Sequence, residues 1–351
     1  MKKILVTGGL GYIGSHTSVL LLQSGYEVVI MDNLSNSKIE VVDKIKKITN
    51  KDFKFYKEDL RNEKVLDDIF KKENIDAVIH FAGLKAVGES VKKPLLYYQN
   101  NLDSTLTLCK IMNKYNVKKL VFSSSATVYG SQKVLPIKET ASLSTTNPYG
   151  STKLFIEYIL DDIYKSDNDW SIIKLRYFNP VGAHDSGLLG EDPNGIPNNL
   201  MPYVSKVAMG ELPYLNVFGD DYKTKDGTGV RDYIHVVDLS LGHLKALEYI
   251  EKNNGSIAIN LGTGKGYSVL DIVNAYEKVN GIKVPYKIAP RRDGDIAECY
   301  ADPTKALELL NWKAEKDLDD MVRSSYNFVK NNKWLKHIIY FFISYIMWHI
   351  F

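Results

Sequence analysis

Tyr149 and Lys153 stand four residues apart and follow Asn147-Pro148. Proline suits the first turn of a helix, so the spacing predicts both side chains on one helix face. That pairing can do acid–base work. A phenol ordinarily titrates near ~10. A neighbouring ammonium favours the phenolate, and reaching neutrality takes about three units, or roughly 4 kcal/mol. Two close cations in a dry site can supply that much. The phenolate can then take a proton from a hydroxyl. Taken alone, a Tyr–Lys pair is mostly a surface accident; its weight comes from company. Ser123-Ser124-Ser125 follows an apolar run that should end on the same side of a sheet. A hydroxyl there can hydrogen-bond the reacting oxygen, although polar solvation of a strand end is the plainer reading.

A second set of residues suits a phosphate. Thr7-Gly8-Gly9-Leu10-Gly11-Tyr12-Ile13-Gly14 joins an apolar strand-like run to a helix-like one. Glycines permit a tight turn and close backbone approach, and the following helix start offers free N–H groups and a favourable dipole. Asp32 closes the next strand, where a carboxylate can accept both ribose hydroxyls of an adenosine and would repel a 2′-phosphate. The cofactor this implies is NAD rather than NADP. An ordinary glycine-rich turn with a capping aspartate is the alternative.

The elements that must position these groups alternate. Lys3–Thr7, Glu27–Met31, Ala77–Phe81, Leu120–Ser123 and Ile172–Leu175 are apolar runs, and helix-like stretches such as Tyr12–Gln23 lie between them. Repeated strand–helix units predict an α/β fold, a Rossmann-type doubly wound parallel sheet covered on both faces. Residues 180–230 change texture, with loop-forming Gly, Pro, Asn and Asp. Val236–Tyr249 then looks helical and Ile257–Leu261 strand-like, so the chain should return to the first domain. The expected division is 1–179 plus about 231–265 for the cofactor domain, 180–230 plus 266–333 for a smaller mixed α/β substrate domain, and an apolar tail, 334–351.

Of the 351 residues, 44% are hydrophobic and 25% charged, as expected of a globular protein, and the net charge of +3 carries no long basic run that would favour nucleic acid. Cys109 and Cys299 form neither a disulfide framework nor a metal-ligand spacing. Nor do His16, His80, His184 and His235, which read as structural. No metal is needed, because hydride transfer is the cofactor's own chemistry. A cytoplasmic location and no signal peptide are expected. From Ile338 to Phe351 nearly every residue is apolar. As a helix, about 14 residues rise roughly 21 Å, short of a ~30 Å hydrocarbon core, so packing on the protein, a tail without function and a peripheral membrane contact all stay open.

Longer strings add a resemblance. Thr7–Gly14, His80-Phe81-Ala82-Gly83, Ser123–Gly130 and Tyr149–Lys153 resemble the extended short-chain dehydrogenase/reductase family. Within it, Phe81–Ser90, Arg176–Ala183 and Gly229–His235 resemble the UDP-glucose 4-epimerases, the likeness running from about residue 2 to about residue 330. The resemblance implies Ser125, immediately before Ala-Thr-Val-Tyr, as the catalytic serine beside Tyr149 and Lys153. It implies a cofactor site of Gly8, Gly11, Tyr12, Ile13, Gly14, Asp32, Asn33, Asn36, Ser37, Asp59, Leu60, Phe81, Ala82, Gly83, Lys85, Asn100, Ser125, Tyr149, Lys153 and Phe178. The UDP-sugar would meet Ser125, Tyr149, Asn179, Asn199, Leu200, Phe218, Arg231, Arg292, Asp295 and Cys299. Arg231 and Arg292 could each grip a pyrophosphate with a planar fork, though either alone is more often a solvated charge. The implied cycle removes the 4′-hydroxyl proton by Tyr149, passes hydride from C4′ to tightly bound NAD, turns the 4-keto sugar over and returns the hydride to its other face. Galactose metabolism and supply of polysaccharide precursors both fit. Leu102–Tyr115 and Ser151–Tyr164 would pair with a second copy in a homodimer, internal packing being the alternative.

Rival activities are weighed on residues. A sugar-nucleotide 4,6-dehydratase would need a carboxylate pair after the serine strand end, where this chain has Ala126-Thr127. A decarboxylase or reductase fits the fold but fits the strings less well. A cofactor-sensing protein with a dead site would have lost Tyr149, Lys153 or Ser125. Two departures from the family pattern remain. Cys299 stands where members restricted to UDP-glucose and UDP-galactose often carry tyrosine, leaving room for the N-acetylated sugars, unless Tyr300 fills the space or the change is neutral. The tail Trp334–Phe351 replaces a short polar segment, and its deletion is expected to leave turnover intact.

Overall fold

The computed structural model describes residues 1–332 apart from 195, 196, 198 and 293; the expectations about the tail, 334–351, fall outside the described residues. The first part of the chain alternates as its apolar runs predict: β1 (Lys3–Thr7), α1 (Tyr12–Gln23), β2 (Glu27–Met31), α2 (Val41–Thr49), β3 (Lys54–Tyr56), α3 (Glu63–Glu73), β4 (Ala77–His80), α4 (Val87–Lys92), α5 (Pro94–Lys114), β5 (Lys119–Ser125), α6 (Pro148–Ser166) and β6 (Ser171–Tyr177). The remainder is built of shorter pieces: β7 (Asn179–Val181), α7 (Leu200–Ala208), β8 (Leu215–Phe218), β9 (Val230–Arg231), β10 (Tyr233–His235), α8 (Val236–Ile250), β11 (Gly255–Leu261), β12 (Tyr267–Ser268), α9 (Val269–Asn280), β13 (Tyr286–Ala289), β14 (Glu298–Cys299) and α10 (Thr304–Leu310). Helical residues 318–332 end the described chain.

Seven strands form one parallel sheet in the order β11-β6-β5-β4-β1-β2-β3. Side chains alternate across its two faces. Ile4, Val6, Val28, Ile30, Ile79, Val121 and Ile173 point to the side covered by α1 and α8, against Leu21, Leu22, Leu244 and Leu247. Leu5, Val29, Val78, Leu120, Phe122 and Ile172 point the other way, against Leu66 of α3, Leu108 and Met112 of α5 and Leu160 of α6. Burial on both faces explains why these strands read as continuous apolar runs. The strand order reverses between β1 and β4, and the crevice at their carboxyl ends is the general ligand position of such sheets.

β11 returns from the far side of the loop-rich region and pairs with β6 along its whole length, from Gly255 opposite Ser171 to Leu261 opposite Tyr177. Between and after lie three small sheets, β10-β7, β12-β9-β14 and β13-β8. α7, α9 and the final helix pack beside them around Val204, Ile272, Tyr276, Met321 and Val322. α9 has a complete capping box, Ser268 accepting from Asp271 N while Asp271 accepts from Ser268 N, and stops at Gly281 with φ of 66°.

The serine run does not follow β5 as the sequence reading had it; Ser123, Ser124 and Ser125 are its last three residues, held by pairing with Leu175, Arg176 and Tyr177 of β6. Ladder hydrogen bonds decided this, which an apolar-run count does not see.

Candidate active site

The glycine turn is built as the phosphate reading requires. Gly8 has φ of 67°, and a Cβ there would lie 2.8 Å from the Ala82 backbone N. A Cβ on Gly14 would lie 2.3 Å from the Gly8 carbonyl oxygen, so α1 enters closer to the turn than any side chain allows. Gly11 caps α1 without a side-chain hydrogen bond, leaving the helix start open to an anion. Asp32 is braced rather than free. Its Oδ1 accepts from Leu34 N at 2.9 Å and Ser37 Oγ at 2.7 Å, and its Oδ2 from Leu10 N at 3.1 Å. Nearby Asn33 donates to Asp59 at 3.1 Å, and the Arg61 guanidinium holds the Asp59 carboxyl well below its usual range.

These residues line a cavity of about 460 Å³ over the carboxyl ends of β1, β2, β4 and β5. Gly8, Gly11, Tyr12, Ile13, Gly14, Asp32, Asn33, Asn36, Ser37, Asp59 and Leu60 lie along its walls, as do Phe81, Ala82, Gly83, Lys85, Asn100, Tyr149 and Lys153. Dinucleotide and acid–base residues therefore share one cleft. Phe178, expected at the cofactor, packs its side chain among Val128, Tyr129, Ile137, Leu154 and Cys299. Ser125 sits at the strand end beside Tyr149 without lining that cavity.

Pro148 opens α6 and Asn147 caps it by accepting from Gly150 N at 2.9 Å, which fixes Tyr149 and Lys153 on the inner face. Lys153 Nζ donates to the Ser123 carbonyl at 2.6 Å and to Ser123 Oγ at 3.3 Å, over the Phe122 ring at 4.8 Å. Burial brings Lys153 down to about 7, opposed by the carboxylate of Glu157. Burial likewise pushes the Tyr149 phenol up, and a hydrogen bond with Ser125 acts the other way. Burial is thus the larger influence on the phenol within the chain, and the sequence expectation calls on two close positive charges to draw it toward neutrality. Ser125 Oγ also accepts from Thr127 N at 3.2 Å and Thr127 Oγ1 at 3.0 Å.

The residues expected at the sugar nucleotide, beyond Ser125 and Tyr149, lie in three groups. Arg231 on β9 faces Cys299 on β14 in register, and Asn179 on β7 donates its N–H to Asp232 O at 2.9 Å. Arg292 pairs with Asp295 at 2.8 Å and stacks over the Phe218 ring at 4.9 Å. Asn199 and Leu200 open α7. Arg231 is turned onto the carbonyls of Val230 and Ala297.

Sequence reading passed over Glu191. It accepts from Lys85 Nζ at 3.3 Å and from Asn199 Nδ2 at 2.6 Å, so one carboxylate joins an expected cofactor residue to an expected substrate residue. Its segment, Leu188–Pro193, forms a wall of the cleft, and Lys38 pairs with Asp192 across it at 2.5 Å. Tyr177 is a third phenol in the cleft, after Tyr12 and Tyr149, its hydroxyl bonded to His243 Nε2. Glu191 carries no local motif and is brought in by the fold; Tyr177 lies within the Arg176–Ala183 string but was given no role there. Among the described residues no three His, Cys, Asp or Glu side chains gather to hold a metal, and no helix is long and apolar enough to cross a membrane.

A glycine turn that only glycine fits, an open helix start and a braced Asp32 suit NAD, and a Tyr–Lys–Ser set beside them, its lysine buried, defines a dinucleotide-dependent enzyme of the short-chain dehydrogenase type. Residues 5–325 match the family described as GDP-mannose 4,6 dehydratase. The chain is 61% identical to UDP-glucose 4-epimerase of Bacillus subtilis over 94% of its length and 97% of that protein's. The crystal structure of UDP-glucose 4-epimerase from Bifidobacterium longum with NAD⁺ and UDP superposes with a TM-score of 0.92 at 57% identity, covering 95% of this chain and 99% of that one. The UDP-Glc/GlcNAc 4-epimerase of Campylobacter jejuni is 37% identical, with a TM-score of 0.82 over 94% of this chain and 100% of that one. The chain belongs to the UDP-glucose 4-epimerase family.

Proposed function

We propose that this chain interconverts UDP-glucose and UDP-galactose by inverting the sugar at C4′ with NAD held throughout. The observation that carries this is the meeting of the glycine turn and Asp32 with Tyr149 and Lys153 in one cleft, with Ser125 at the strand end beside Tyr149. Bound NAD supplies the hydride acceptor and donor. Tyr149 takes the proton of the 4′-hydroxyl and gives it back. Ser125 donates to the reacting oxygen. Lys153, anchored on Ser123, keeps positive charge beside the phenolate and would hold the nicotinamide ribose. Asp32 takes the adenosine ribose; Arg231 and Arg292 take the pyrophosphate, and Phe218 the uracil, with Asn179, Asn199, Leu200 and Asp295 around them. Ala126-Thr127 offers no carboxylate at the serine strand end, and Thr127 is spent on Ser125, which disfavours elimination of water.

The pocket also takes UDP-N-acetylglucosamine and UDP-N-acetylgalactosamine in this reading. Cys299 is small, and the ring of Tyr300 lies beside Gly266, 3.2 Å from where a Cβ on that glycine would stand. The sheet of seven strands is the cofactor domain and the small sheets are the UDP-sugar domain. The working unit is a homodimer. α5 and α6 expose Leu95 at 81%, Leu106 at 47%, Phe155 at 44% and Tyr158 at 47%, a face suited to a second copy. Free Cys109 and Cys299 accord with a cytoplasmic enzyme.

The test is epimerisation of UDP-galactose and UDP-N-acetylgalactosamine, separately, without added cofactor. Both should convert, and Tyr149→Phe should abolish turnover while retaining NAD. Cys299→Tyr should remove the N-acetylated activity alone; unchanged turnover of both sugars would sink the pocket argument. Silence from the wild type, with NAD added, would overturn the epimerase reading.

A further inference from the structure

The helix that carries the acid–base pair carries a third ionisable group in line with it. Tyr149, Lys153 and Glu157 follow at i, i+4 and i+8 along one face of α6. Glu157 is 2% exposed. Its Oε1 accepts from Ser124 Oγ at 2.5 Å and from Arg176 Nε at 3.0 Å, and its Oε2 from Arg176 Nη2 at 2.6 Å. Ser124 and Arg176 are directly opposite each other in the β5–β6 ladder. One carboxylate thus pins α6 to two adjacent strands at once, at the place where β5 ends.

The neighbours of Ser124 give the contact its meaning. Ser123 supplies the carbonyl and hydroxyl that hold Lys153, and Ser125 places its hydroxyl beside Tyr149. We propose that Glu157 is a positioning residue of the active site: by clamping Ser124 and Arg176 it sets the height of the serine strand against the helix bearing Tyr149 and Lys153. This rests on the acid–base reading of those two residues given above. Arg176 extends the clamp, donating to Tyr129 Oη at 2.9 Å, and Tyr129 donates to Asn260 Oδ1 on β11 at 2.6 Å. The charge of Glu157 acts in the same direction as its geometry, because it supports the ammonium of Lys153 against burial.

The groups facing Lys153 are few: Tyr149 and Glu157 on its own helix, Ser123 and the Phe122 ring on β5, and His80 on β4. His80 is held neutral by burial, pushed down to about 3, and is bonded to Thr7 and Thr105. The variant Glu157→Gln keeps the size and removes the charge. It also leaves Arg176 unbalanced, and both changes disfavour the Lys153 ammonium. Arg176 stands about two helical turns from Tyr149, roughly 12 Å along the axis, too far to replace that ammonium beside the phenolate.

The experiment compares NAD-loaded wild type with Glu157→Gln, Glu157→Asp and Ser124→Ala. Glu157→Gln should lose about tenfold or more in kcat with KM within about twofold. The alkaline limb of its pH profile should move to lower pH. The tyrosinate ultraviolet signal assigned by Tyr149→Phe should move to higher pH. Glu157→Asp, which keeps the charge, should restore the limb toward wild type. Wild-type kcat and unshifted limbs in a folded Glu157→Gln would overturn the proposal. If that variant does not fold, Ser124→Ala decides, because it cuts the strand tie and leaves the ion pair: a lower kcat with normal NAD content supports the clamp, and wild-type kinetics sinks it. An inactive wild type would instead indict the acid–base reading itself.

Discussion

Replacing Gly14 by alanine perturbs the cofactor site at its tightest point. The added Cβ would stand 2.3 Å from Gly8 O and 2.8 Å from Gly9 Cα. Ordinary contact needs about 3.5 Å, so the start of α1 must withdraw by about 1 Å. Overpacking of this kind costs about 1–3 kcal/mol. The same movement carries the opening N–H groups of α1 away from the phosphates they serve. Hydrogen bonds to charged groups are worth about 1.5–3 kcal/mol each, so losing two weakens cofactor binding by about 3–6 kcal/mol. That is about 10²–10⁴-fold in affinity. The assay is NAD released per protomer after gel filtration, with thermal melts in the presence and absence of excess NAD. Gly14→Ala should emerge largely empty and melt lower. Gly88→Ala is the control, since a Cβ there meets nothing within 4 Å, and α4 should gain or stay level. Full NAD content and an unchanged melt in Gly14→Ala would refute the steric argument.

Acid should unfold the protein through histidines. Burial pushes His16 and His243 down to about 4 and His80 and His235 down to about 3. In the unfolded chain they take protons from about 6.5 downward, so stability is complete above that pH and falls as pH drops toward 4; equal melting temperatures at pH 7.5 and pH 5 would contradict this. Asp32→Ala strips partners from Leu10 N, Leu34 N and Ser37 Oγ. Its affinity for NAD should fall about 10²-fold or more and its preference over NADP should narrow, as titration calorimetry would measure.

What could be seen in advance was what depends on near neighbours. α1 and β2 occupy the ranges their apolar runs predict, Tyr12–Gln23 and Glu27–Met31, because one buried face leaves its period in the sequence. Tyr149 and Lys153 were legible because Pro148 and a four-residue spacing are local signals. β3 was not: Lys54–Tyr56 is an edge strand of three residues with Lys54 exposed, too short for any period. α5 begins at Pro94, ahead of the expected 102, because its first turn exposes Leu95 and Leu96 and offers no amphipathic stripe. Glu191 and Glu157 were invisible for a further reason. Their partners lie on other elements, and a lone glutamate in a helix or loop looks the same whether it faces water or the heart of a site.

β11 has a consequence for how the protein can be taken apart. The seventh strand of the parallel sheet is made by residues 255–261, yet its neighbour β6 is complete by residue 177. A fragment ending at 179 would leave every residue of β6, buried in the whole chain, along a bare edge with unpaired backbone groups. Such an edge recruits other strands, so the cofactor-binding half should come out of solution rather than fold as a module. The small sheets are therefore part insertion and part appendix, since β7 to β10 precede β11 while β12 to β14 follow it and pair back with β8 and β9. Exchanging them between relatives means cutting before β7, after β10 and again after β11, and keeping α8 and β11 with the large sheet.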